Sequence, residues 1–197
     1  MKRLALLVVA APHLAAADPK QDRAVTAAGD ANLESDSKRK GIIIQAGLGG
    51  GLMLGIGVDG VTGNGPSGSF RLGHVATRNS VVTLELSTVT LRHAVNATMD
   101  SDQYIDQDTS IMLGGQFYIN PALWVRFATG IGGYRGKHVG ENALDVSLTG
   151  PAGAVGAGVE VIRFKRWAVG LEMFTVGMIN RDGLMSSTGF LVDAILY

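Results

Sequence analysis

From residue 42 onward the apolar residues of this chain fall on alternate positions. Between 42 and 56 the even positions carry Ile42, Ile44, Ala46, Leu48, Leu52, Leu54 and Ile56, while the odd ones, apart from Ile43 and Met53, carry Gln45 and glycines. A period of two is that of a β-strand with unlike faces. Glycine on the second face predicts a surface where bulk does not fit, as on the crowded inside of a narrow barrel.

The alternation recurs along the chain. A Gly-rich connection over 57–66 leads to Phe70, Leu72, His74 and Ala76 on one face, with Arg71 and Gly73 opposite. A tight turn over 77–80 leads to Val82, Leu84 and Leu86 against Thr83, Glu85 and Ser87. The polar stretch 93–108 reads as a long loop. Ile111, Leu113 and Phe117 then oppose Met112, Gly114 and Gln116, and Asn120-Pro121 turns the chain, as such residues favour. Leu123, Val125, Phe127 and Ile131 oppose Trp124, Arg126 and Gly130, and residues 135–142 read as another loop. In the sixth strand Val155, Ala157, Val159 and Val161 oppose Gly156, Gly158 and Glu160. Its early half, with Val146 and Leu148, has the opposite parity, which predicts a bulge near Gly150-Pro151. A basic turn over 163–166 leads to Trp167, Val169, Leu171 and Met173 against Gly170 and Glu172, and Arg181-Asp182-Gly183 turns the chain into an eighth strand ending at Tyr197.

Connections after strands two, four and six are short, and those after one, three and five are longer. That is the rhythm of a transmembrane barrel, whose turns are short on one side of the membrane, and each strand reaches the roughly 9–11 residues a tilted crossing needs. A soluble barrel would turn its apolar face inward and its charges out. Here the face opposite the apolar one is rich in Gly and Ala and poor in charge, so the apolar face is expected to meet lipid. The fold class expected is all-β, an eight-stranded antiparallel up-and-down transmembrane barrel over residues 41–197.

What precedes the strands fits export. Lys2 and Arg3, the apolar run 4–11 and the small residues Ala15, Ala16 and Ala17 form a secretory signal over 1–17, cleaved before Asp18. The run is too short to span a bilayer as a helix, which takes about 20 residues. Residues 18–40 mix charges of both signs with little apolar periodicity and read as a flexible periplasmic linker. Lys and Arg total 17, as do Asp and Glu, so no net field draws in nucleic acid; with no cysteine, disulfides and thiolate metal sites are excluded.

The signal, the eight amphipathic strands, the turn pattern, the segment LWVRFATGIGGY over 123–134 and the terminal aromatic Tyr197 resemble the small outer-membrane barrels of the OmpA-like or opacity-protein type. The resemblance implies residence in a Gram-negative outer membrane, lipid as the surrounding partner, and periplasmic chaperones and the barrel-assembly machinery as partners during biogenesis. It specifies no ligand for the external loops. In such barrels the last strand carries apolar residues at alternate positions before the final aromatic. Ile195 and Leu191 fit that series and Asp193 breaks it; Phe190, Val192, Ala194 and Leu196 make an equally apolar face that would place Asp193 inside.

Arg71, Glu85, Arg126, Glu160 and Glu172 lie on the polar faces. Buried charge without a partner is costly, so these five are expected to form a paired polar network in the lumen rather than an ion path or a catalytic acid. Arg71 and Glu85 are expected to face each other across the turn near Arg78. His74, His93 and His138 lack metal-ligand spacing, no G-x-S-x-G element is present, and the glycines at 47–51 and 130–133 neither open a helix nor end in Gly-Lys-Ser/Thr, so no metal, catalytic centre or cofactor is expected. Phe117 and Trp167, apolar-face aromatics beside short turns, are expected at the membrane interface. The function expected is structural or surface-interacting and non-enzymatic; a narrow conduit for small or hydrophobic solutes and a lipid-modifying barrel enzyme are the alternatives. The exported protein is predicted to begin at Asp18, and N-terminal sequencing that finds Met1 retained on it would refute the cleavage.

Overall fold

The computed structural model describes Arg39 and residues 41–57, 61–94, 103–139 and 145–197. Eight strands follow one another: β1 (Ile42–Ile56), β2 (Thr62–Thr77), β3 (Ser80–Ala94), β4 (Gln103–Tyr118), β5 (Leu123–Val139), β6 (Asp145–Arg163), β7 (Trp167–Ile179) and β8 (Leu184–Leu196). Each pairs antiparallel with the next, and β1 pairs with β8 from Ile44↔Leu196 to Ile56↔Leu184, closing the barrel. The expected fold is the one found. No helix among the described residues is long and apolar enough to cross a membrane.

The end of the barrel that holds Gly41 and Tyr197 is called here the terminal end. Its turns are short because their side chains satisfy the backbone locally. Asn120 Oδ1 accepts from the N–H groups of Ala122 and Leu123 at 2.8 and 2.7 Å. At the opposite, loop end, Asn180 Oδ1 does the same for Asp182 and Gly183 at 2.8 and 3.0 Å. Gly57, with φ of 81°, ends β1 in a conformation that a side chain disfavours.

Parity holds along the barrel. The outward face exposes Leu48, Phe70, Leu84, Leu113, Phe127, Leu171 and Phe190, whereas Gln45, Arg71, Glu85, Arg126 and Glu172 are buried inside. The last strand resolves in the same sense: Asp193 is buried inside, and Phe190, Val192 and Leu196 are exposed. Inside, two apolar clusters bracket the charges. One, near the terminal end, contains Ile43, Val81, Tyr118, Trp124, Ala168 and Ile195. The other, toward the loop end, contains Met53, Val89, Leu91, Met112, Phe174, Met178 and Met185.

Three boundaries differ from the sequence reading. Much of the connection expected over 57–66 is strand, since β1 and β2 stay paired to Leu54↔Thr62. The stretches 93–108 and 135–142 likewise contribute ladder, with Ala94 pairing Gln103 and Gln103 pairing Val139. Ladder hydrogen bonds are made by the backbone, so pairing runs past the apolar belt into polar sequence. No bulge occurs near Gly150-Pro151. The β5–β6 register is unbroken from Leu123↔Val159 to Lys137↔Asp145, and Leu148 points inward against the loop-end cluster. The irregularity in β6 lies between Glu160 and Ile162 instead.

Residues 1–17 and most of 18–40 lie outside the described residues, as do the side chains of His93 and His138. A lumen-side glycine, Gly65, and one on the outer wall, Gly153, make a sharp prediction. A Cβ on Gly65 would stand 2.0 Å from the carbonyl oxygen of Thr90, whereas one on Gly153 would meet nothing closer than 3.8 Å. Gly65→Val is expected to lower the fraction of protein showing the heat-modifiable gel shift of a closed barrel, and Gly153→Ala to leave it unchanged; equal behaviour of the two would contradict this packing.

Candidate functional site

The strongest concentration of polar chemistry is a layer of side chains across the middle of the lumen. Alternation aims Gln45 (β1), Arg71 (β2), Glu85 (β3), Gln116 (β4), Arg126 (β5) and Glu172 (β7) at the barrel axis, and all six are buried. Arg71 forms an ion pair with Glu172 and Arg126 one with Glu85. Arg126 Nε also donates to Glu172 Oε1 at 2.8 Å, so Glu172 bridges both guanidinium groups. Neutral groups complete the set. Arg71 Nη1 donates to Gln45 Oε1 at 3.0 Å and to Gln116 Oε1 at 3.1 Å, and Thr83 Oγ1 donates to Glu85 Oε1 at 2.7 Å.

Arg71 and Glu85 are register partners, as parity predicts, yet they are not each other's ion partner. Neighbouring inward side chains run side by side toward the axis, and a long guanidinium meets a carboxylate from a strand two or three away around the barrel. Each cation also lies near a ring: the Arg71 guanidinium carbon is 5.0 Å from the Trp124 centroid, and that of Arg126 is 5.0 Å from Phe174.

Glu160 does not join this layer. It sits at the terminal mouth, where Arg163 Nε donates to its Oε2 at 2.6 Å and Arg39 Nη2 to its Oε1 at 3.2 Å. Arg39 belongs to the segment read as linker, but its side chain is buried. It donates to the Pro121 carbonyl at 2.5 Å and lies 3.6 Å over the Tyr118 ring and 5.5 Å from that of Tyr197. Burial pushes the Tyr197 phenol far above its ordinary range, so it stays neutral beside these charges. The reach of one arginine under the mouth has no periodic signature, which is why sequence reasoning missed it. Gln45 and Gln116 were visible as inward positions, but nothing in their spacing singled them out.

Toward the loop end the lumen holds a second polar group, in which Ser187 Oγ donates to Asp108 Oδ2 at 2.5 Å and Tyr134 OH to Asp106 Oδ1 at 2.7 Å. His74 is exposed on the outer wall. Among the described residues no three acidic or histidine side chains converge as a metal ion would require. Phe117 and Trp167 stand exposed on the outer wall near the terminal end. The interior arrangement is suited to holding the walls together: Glu85 and Glu172 accept from arginines on other strands, and much of its volume is taken up by Met53, Met112, Trp124 and Phe174, each at most 1% exposed.

The fold is shared with small outer-membrane barrels of known structure. Ail, the attachment invasion locus protein of Yersinia pestis, in complex with the heparin analogue sucrose octasulfate, superposes with a TM-score of 0.62 over 80% of this chain and 99% of its own, at 13% identity. A second crystal structure of Ail gives 0.59 at 14% identity, again over 80% and 99%. Neisserial surface protein A gives 0.57 at 10% identity, over 80% of this chain and 97% of its own. At such identities the likeness is one of fold. No protein-family model matches the chain, and no curated protein is similar to it in sequence.

Breaking the bridge at Glu172 should be expensive because it leaves the buried Arg71 guanidinium without its carboxylate partner. Glu172→Ala is expected to cost about 3–5 kcal/mol in a urea titration of the folded barrel in detergent. Arg71→Met with Glu172→Met should cost less than the sum of the two single changes, since Arg126 keeps Glu85 and no charge is left alone. Strict additivity in that cycle would refute the pairing.

Proposed function

We propose that this chain is exported through a cleaved signal, spans a bacterial outer membrane as a closed barrel, and serves the envelope without catalysis, as a structural element or through contacts made at its loop end. The observation that carries this reading is the inversion of the usual burial pattern. Leu48, Ile111, Leu113 and Ile131 are 60–77% exposed, while Arg71, Arg126, Glu85 and Glu172 are 1–4% exposed. In water such a wall would leave apolar surface unburied at roughly 25 cal/mol per Å². In hydrocarbon the same wall is at rest, and closure satisfies the backbone that lipid cannot.

The terminal end, with its short turns and with Gly41 and Tyr197, then faces the periplasm, and the loop end faces out. Lipid is the partner of the wall, and chaperones and the barrel-assembly machinery are the partners of its biogenesis. Surface interaction at the loop end is supported by the fold shared with Ail, described as bound to a heparin analogue, and with a protein described as a surface protein. The ligand of the present loops is not specified by that likeness.

A filled lumen separates this reading from that of a general porin, whose open channels belong to barrels of about 16 strands. The protein is expected in the outer-membrane fraction, and after reconstitution into a planar bilayer it is expected to show no steady, large conductance. A reproducible nanosiemens-scale channel that survives repurification would overturn the closed interior, and recovery in the soluble periplasmic fraction would overturn the membrane reading.

A further inference from the structure

Among the described residues, the charged side chains exposed at the terminal end are all basic. Arg78 in the β2–β3 turn and Lys165 and Arg166 in the β6–β7 turn are exposed, whereas the side-chain carboxylates described on that half of the barrel, Glu85, Glu160, Glu172 and Asp193, are all buried. Lys165 and Arg166 are flanked by Phe164 and Trp167, whose rings stack at 3.9 Å with 18° between planes and remain half exposed. Farther along the same outer wall, toward the loop end, lies an open apolar groove of about 480 Å³, bordered by Leu123, Ala157, Leu171, Met173, Phe190 and Val192. Trp167 and Leu171 share the outward face of β7. Four residues of strand separate them, about 13 Å along the chain at some 3.3 Å per residue. That span fits within one leaflet, about 15 Å of a 30 Å hydrocarbon core.

We propose that this turn and groove seat one anionic phospholipid of the inner leaflet: phosphate and headgroup on Lys165 and Arg166, glycerol backbone against the Phe164–Trp167 stack, and one acyl chain along the groove. The inference rests on the membrane reading above and adds the lipid class. Charge complementarity selects an anionic over a zwitterionic headgroup, since basic side chains next to a membrane surface are attracted by net negative lipid. The stacked aromatics hold the interfacial depth at which the two basic side chains reach phosphate.

The test uses the full chain refolded into phosphatidylcholine vesicles that contain either brominated phosphatidylglycerol or the same fraction of brominated phosphatidylcholine. Trp167 is the reporter, and Trp124, 1% exposed inside the lumen, supplies unquenched background. The brominated anionic lipid is expected to quench severalfold more effectively at low salt. Lys165→Gln with Arg166→Gln, exposed positions whose replacement is expected to leave the gel shift intact, should remove the difference, and Ala157→Phe should reduce it by filling the groove. Equal quenching by both lipids would overturn the proposed seat while leaving the barrel in the membrane. A difference that persists undiminished in Ala157→Phe would overturn the acyl-chain placement. No quenching by either lipid would overturn the membrane reading itself.

Discussion

Pairing of β1 with β8 removes every strand edge from this sheet, and most of the other features follow from that closure. A closed sheet of eight strands has one inside and one outside, and each residue of a strand is assigned to one of them by parity alone. The inside is then too narrow for all inward positions to be large. Bulk on one strand is matched by its absence on another. A Cβ on Gly158 would lie 2.2 Å from the Trp124 ring, one on Gly189 would lie 2.4 Å from the Phe174 ring, and one on Gly47 would lie 2.0 Å from Asp193 Oδ1. The glycines of the inner face are therefore the complements of particular large side chains.

The same narrowness accounts for how the charges are arranged. Side chains from strands that are not paired meet near the axis, so a guanidinium can neutralise a carboxylate two or three strands away. Arg126 on β5 joins Glu85 on β3 and Glu172 on β7. Such pairs gain little net energy over a well-packed apolar core, but they penalise any register that separates the partners. In a sheet whose strands are otherwise free to slip by two residues without exposing the wrong face, that penalty distinguishes one register from the next.

Much of the architecture was legible from one chain because parity is a local property. The strands, their facing, the short terminal-end turns and the Arg71↔Glu85 register could all be counted off the sequence. Strand length was less legible, since Thr62 through Pro66 and Gln103 through Asp108 pair by backbone groups that carry no compositional mark. The inward facing of Leu148 was misread for a related reason: near the loop end polar residues take outward positions too, and the contrast between faces fades. Ion partners were not legible. Parity places a charge inside, but only the three-dimensional closure decides which opposite charge it meets.

Arg39 adds a temporal consequence to the geometry. Its partners Pro121, Glu160 and Tyr197 are 82, 121 and 158 positions away along the chain, and they converge only when the last strand has met the first. A chain emerging in order cannot make this contact early, and a loop of that size must be closed before any of it is recovered as binding energy. The clasp under the mouth is thus a late event in assembly. It converts the completed circle into a state in which the residue just ahead of β1 is tied to the far wall, so that an unfinished barrel and a finished one differ in how their leading segment is held.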